Sequence, residues 1–106
     1  MTVNNHIELC ENTVLKLSEK EIPEITENEV LVKVHLSGLC GSDIPRIFDN
    51  GAHFYPITLG HEFSGEIVKV GSGVKKVSTG DNVSCAPLVP CMECEQCFRW
   101  LQTPGR

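Results

Sequence analysis

The chain has 106 residues, 41% of them hydrophobic, and a formal net charge of −5 from 9 basic and 14 acidic side chains. That is the size and balance of one soluble globular domain, too apolar for wholesale disorder. The acidic excess argues against a nucleic-acid partner, which asks for a basic face, and against an anionic membrane surface.

Seven acids fall in the first 29 residues, from Glu8 to Glu29, and read as a solvated rim. Val14, Leu15 and Leu17 suggest a short first strand, closed by Pro23 and a polar turn at 26–28. Val30, Val32, Val34 and Leu36 then alternate with Leu31, Lys33, His35 and Ser37, the period-two signature of a strand. A short helix is expected within 41–48, with Pro45 tolerated only in its first turn. Asn50-Gly51 is a turn dipeptide. Segment 63–70 reads as a second strong strand, Gly71-Ser72-Gly73 as a turn, and 83–86 as a third strand that buries Cys85 as a small hydrophobe. Short strands separated by glycine turns predict a mainly β barrel or sandwich. The tail from Phe98 onward has no strand or helix period.

Six cysteines in so short a chain are compatible with disulfides, a metal or a redox motif. The first ten residues have neither the basic start nor the apolar stretch of a secretion signal, and no apolar run approaches the roughly 18 residues of a membrane span. A cytoplasmic chain is therefore expected, and there structural disulfides are rare. Cys91, Cys94 and Cys97 form C-x2-C-x2-C, a spacing that lets a tight turn fold neighbouring thiolates around one ion. An iron–sulfur cluster of the bacterial ferredoxin type would continue with x3-C-P, but Leu101 and Gln102 stand there. Zinc is the expected ion, and a closed zinc site needs a fourth ligand. A second, dispersed set is Cys40-Gly41-Ser42-Asp43 and Gly60-His61-Glu62, which together offer the three side-chain types that bind zinc. His61-Glu62 does not open a zinc-protease helix, since Gly65 replaces the second His of H-E-x-x-H.

Five segments in order carry a resemblance: 38–43, 59–68, 70–74, 80–83 and the cysteine loop. Together they resemble the N-terminal half of the zinc-dependent medium-chain alcohol and polyol dehydrogenases. The resemblance implies a GroES-like, partly open barrel with short helices and a cysteine-rich zinc lobe. It implies that Cys40, His61 and Glu62 are ligands of a catalytic zinc, and that Cys91, Cys94 and Cys97 are ligands of a structural one. Ser42 is implied as the hydroxyl that passes the alcohol proton towards solvent, and Asp43 as the carboxylate that orients the ligand histidine. The implied reaction is oxidation of a secondary alcohol of a small polyol or polyol phosphate to a ketone, with hydride passing to NAD. Arg46 either grips a substrate phosphate or makes a surface ion pair with Asp49, the second being favoured. His53, beside Tyr55, either lines the substrate pocket or belongs to an ordinary loop. His6, His35 and Cys10 have no identifiable partner and are read as structural.

The chain also departs from that family. Its cysteine lobe runs C-x2-C-x2-C-x7-C, and the last position here is Gly105. No G-x-G-x-x-G or G-x-x-x-x-G-K-[ST] phosphate cradle occurs, so NAD is not expected to bind these residues. The expectation is an incomplete GroES-like domain over 1–97, a divergent tail over 98–106 and no Rossmann domain, as in a truncated or frameshifted product that is inactive alone. The alternative is a stand-alone, non-catalytic zinc-binding module of the same fold. Both zinc sites are expected to be one ligand short.

Overall fold

The computed structural model describes residues 3–102, with side chains described through Arg99. In chain order it contains β1 (Val3–Glu11), β2 (Val14–Glu21), β3 (Val30–Gly38), α1 (Asp43–Phe48), β4 (Ile57–Thr58), β5 (Glu62–Val70), β6 (Asn82–Ser84) and α2 (Glu95–Gln102). The strands form two open antiparallel sheets, ordered β2-β1-β4 and β3-β5-β6. No described helix is long and apolar enough to cross a membrane.

The period-two segment at 30–37 is β3, and the expected helix forms as α1, with Pro45 in its first turn as required. Three segments differ from expectation. The first strand is β1, whose residues lack a regular apolar alternation and acquire strand geometry by pairing with β2. Residues from 98 continue a two-turn helix, α2, too short for a periodic signal. The Arg99 guanidinium reaches back to Glu95 Oε1 at 2.6 Å across one turn of α2. The strand expected at 83–86 stops at Ser84, and Cys85 is exposed rather than buried, because β6 pairs with β5 only through Ser84.

β3 packs tightly against β5 at Gly65. A Cβ there would run into the Lys33 carbonyl, so glycine permits the register Val34↔Gly65. The hydrophobic core is small: Leu9, Ile47 and Ile67 are its buried apolar side chains among the described residues. Between the two sheets lies an apolar cavity of about 550 Å³, with Ile7, Leu9, Leu15, Val34 and Phe63 in its wall. The radius of gyration is 16.2 Å, against about 13 Å for a close-packed chain of this length. Leu17, Leu36 and Leu39 remain largely exposed.

The β1–β2 hairpin carries a polar cluster on one face. Glu8 takes Nε2 of His6 at 2.9 Å, Nζ of Lys20 at 3.1 Å and the hydroxyl of Ser18 at 3.1 Å. His6, read as partnerless in sequence, thus has one. The same strand pairs Leu9 with Ile57 of β4, and the hairpin turn donates Thr13 N–H to the Ile47 carbonyl at 2.8 Å. The hairpin is therefore tied to β4 and to α1, the two elements that flank Cys40 and His61.

Gly65→Ala should destabilise the chain by about 1–3 kcal/mol, read as a lower denaturant midpoint, because the β3–β5 ladder must part to admit the methyl. The His6 ring and the Lys20 ammonium hold the Glu8 carboxyl down at about 2, below its usual 4.5, with the Ser18 hydroxyl adding to the effect. A depressed carboxyl contributes stability that is complete above the unfolded value and is lost as pH falls from about 4.5 towards about 2. Unfolding curves between those pH values should accordingly be flatter for Glu8→Gln than for the parent chain.

Candidate metal centre

The backbone brings Cys40 and His61 together from two loops. Cys40 follows β3, and Asp43 N–H donates to the Cys40 carbonyl at 2.9 Å as α1 begins. His61 follows Gly60, whose φ of 119° is open to glycine and not to L side chains, and whose Cβ would meet Ser37 Oγ at 2.7 Å. The chain therefore turns sharply between β4 and β5 and delivers His61 and Glu62 to the end of β3. Donor atoms of Cys40, His61 and Glu62 all lie within 4.8 Å of one another.

Asp43 organises this cluster. It is fully buried, yet each of its oxygens is used. Oδ2 accepts the Cys40 backbone N–H at 3.0 Å. Oδ1 faces His61 Nδ1 at 3.8 Å and Arg46 Nη1 at 3.4 Å. An isolated carboxylate without these partners would be costly to bury. With Asp43 on Nδ1, the other ring nitrogen of His61 is left to face a ligand, the arrangement that fixes an imidazole for metal binding.

The second cluster joins the loop before α2 to its first turn. Cys97 Sγ lies 3.4 Å from Cys94 Sγ and 3.6 Å from Cys91 Sγ. Four sulfurs around zinc at about 2.3 Å would stand about 3.8 Å apart, so these two separations are close to tetrahedral spacing. The backbone amides of Glu93 and Cys94, joined by the Cys94 and Cys97 thiols, pull the Cys91 thiol down to about 7 from its usual 9.0. For Cys97 the Met92 amide acts in the same direction. It is outweighed by the Cys94 thiol, burial and the Cys91 thiol, so the Cys97 thiol is pushed up. Cys91 is thus the more readily ionised of the two, and it is the thiolate that binds metal. No fourth His, Cys, Asp or Glu joins either cluster among the described residues.

The remaining candidates are placed as follows. Arg46 does not pair with Asp49: its Nη1 contacts Asp43 and, at 3.5 Å, Ser42 Oγ. One helical turn puts Arg46 over residues 42 and 43, whereas Asp49 lies past the end of α1. Ser42 is exposed at the head of α1, with Arg46 as its side-chain contact. His53 lines a cavity of about 300 Å³ together with Arg46, Thr58, Gly60 and His61. His35 is exposed on β3, and Cys10 makes a long contact of 3.9 Å to the Glu8 carbonyl. Sequence reading missed the link from Asp43 to the Cys40 amide and to Arg46; the i, i+3 spacing of Asp43 and Arg46 on a short helix was the available signal.

The family model described as the alcohol dehydrogenase GroES-like domain matches residues 26–103. The chain belongs to this family. Its match takes in both clusters and runs past residue 98, while β1 and β2 lie before it. The chain is 59% identical over 87 residues to galactitol 1-phosphate 5-dehydrogenase of Escherichia coli K12, which covers 81% of this chain and 25% of that enzyme. It superposes on the crystal structure of galactitol-1-phosphate dehydrogenase from Escherichia coli with a TM-score of 0.85 and 52% identity, over 91% of this chain and 28% of that one. A short chain alcohol dehydrogenase from Escherichia coli, solved with the cofactor NADH, matches with a TM-score of 0.80 and 37% identity, over 93% of this chain and 29% of that one. The chain thus spans about a quarter of the length of the curated relative it matches. The mainly β, open-sheet architecture is that of the GroES-like domain of alcohol dehydrogenases.

Asp43→Asn should weaken zinc at Cys40, His61 and Glu62 by roughly 10–100-fold, because an amide cannot serve Arg46, His61 and the Cys40 N–H together. The three-cysteine cluster should keep its affinity. Competition with a chromophoric chelator resolves the two sites.

Proposed function

We propose that these residues are the metal-holding part of the catalytic centre of a zinc-dependent, NAD-linked polyol dehydrogenase, with galactitol 1-phosphate as the favoured substrate. The observation that carries this reading is the convergence of Cys40, His61 and Glu62 on one point, backed by buried Asp43. The 59% identity to an enzyme named for galactitol 1-phosphate supports the substrate, and the neighbour solved with NADH supports a nicotinamide cofactor.

Cys40, His61 and Glu62 would hold the catalytic zinc; their thiolate, imidazole and carboxylate donors suit that ion. Cys91, Cys94 and Cys97 would hold three corners of a structural zinc. Zinc at the first site supplies Lewis acidity that makes a substrate hydroxyl easier to deprotonate. The chain's own residues do the rest of the work at this end. Asp43 fixes the ring of His61 and, through the Cys40 N–H, the loop that carries the thiolate. Ser42, exposed beside Arg46, can receive the proton leaving the substrate hydroxyl and pass it to water. The ~300 Å³ cavity beside His61 is at the lower end of small-ligand sites, fitting a polyol rather than a dinucleotide. The sequence has no glycine-rich phosphate cradle, so the cofactor would be held by another domain.

With cobalt in excess, enough to fill weak as well as tight sites, the purified chain should give a thiolate charge-transfer band from each cluster. Cys40→Ser should remove one contribution and leave the other. Tight zinc should amount to at most one ion per chain, since each cluster has three donors among the described residues. Turnover of galactitol 1-phosphate with NAD should be undetectable. Two tightly held zinc ions, or measurable NADH production, would sink the incomplete-centre reading.

A further inference from the structure

The cavity beside His61 is walled by Arg46, Ala52, His53, Ile57, Thr58 and the 59–61 turn. No carboxylate is among its lining residues, although the chain carries 14 acids against 9 bases. Arg46, His53 and Thr58 all offer polar hydrogens. Two acids lie near: Asp43 is sealed behind this wall and engages Arg46 through Nη1 alone, and Glu62 joins Cys40 and His61 in their cluster, outside the lining of this cavity. The other guanidinium nitrogens of Arg46 have no partner among the described residues. Their planar fork matches two oxygens of a phosphate, and a ring N–H from His53 could add a third contact.

We infer that this cavity is an anion subsite which receives the phosphate of a phosphorylated polyol, and that Arg46 is its specificity-determining residue. The inference rests on the polyol dehydrogenase reading and names the residues that would separate a polyol phosphate from a free polyol. Charge selection is the physical basis. A free polyol finds donors here that water satisfies equally well. A phosphate dianion turns the same donors into charge-assisted bonds. Asp43 holds the guanidinium in place through one nitrogen, so part of the ordering is done before the ligand arrives. Arg46 thereby connects the subsite to the carboxylate that faces His61.

Calorimetric titration of the zinc-loaded chain with a hexitol, its 1-phosphate and inorganic phosphate tests this, with zinc per chain measured on every sample. The hexitol phosphate should bind tighter than the hexitol by roughly tenfold or more, an advantage that shrinks as salt rises. Arg46→Met should erase that advantage. Arg46→Lys keeps a cation beside buried Asp43 and guards against misfolding; it should retain part of the advantage, and His53→Gln should reduce it. Equal binding of hexitol and hexitol phosphate by zinc-loaded chain would overturn the inference and leave the metal reading intact. So would an unchanged preference in Arg46→Met, or a preference lost only in samples that have also lost zinc. A phosphate preference that persists in zinc-free Cys40→Ser would uphold the subsite even if the metal reading fell.

Discussion

The centre of this molecule depends on one buried carboxylate. Asp43 has no solvent exposure, and a charge in that position must be matched on every side. Its partners are the backbone of Cys40, the ring of His61 and the guanidinium of Arg46. These come from the end of β3, the β4–β5 turn and α1. Satisfying one side chain therefore fixes three pieces of chain relative to one another. The Cys40 thiol and the His61 imidazole are positioned as a consequence.

The surrounding scaffold is thin. Among the described residues Leu9, Ile47 and Ile67 are the buried apolar side chains, and a large apolar cavity separates the sheets. Burial at roughly 25 cal/mol per Å² accumulates slowly in such an open arrangement. Backbone pairing and polar clusters carry more of the specification than in a close-packed domain. The His6–Glu8–Ser18–Lys20 cluster helps set the β1–β2 register, and the hairpin braces both β4 and α1. That bracing comes from residues outside the matched family domain, which begins at 26.

The strong local patterns were legible. Residues 30–37 and 63–70 gave their strands through alternation and β-branching, and the C-x2-C-x2-C spacing gave the second cluster. Less was legible where pairing or length overrode pattern. β1 has no clean alternation, and its strand geometry comes from its neighbours. α2 spans eight residues, too few for a helical period to show. Cys85 lost its expected burial because the ladder ended one residue earlier. Arg46 was matched in sequence with Asp49, but helix geometry places it over Asp43.

The sequence by itself determined the family, the β character of the chain and the two groups of candidate metal-binding side chains. These follow from local spacing and from ordered motifs, which survive in one dimension. Tertiary structure alone decided which groups meet. It joined Cys40 to His61 across twenty-one positions, buried Asp43 between them and turned Arg46 into a cavity with His53. The reason is physical: a buried charge chooses its partners by distance and hydrogen-bond geometry in three dimensions, and no spacing along the chain encodes that choice.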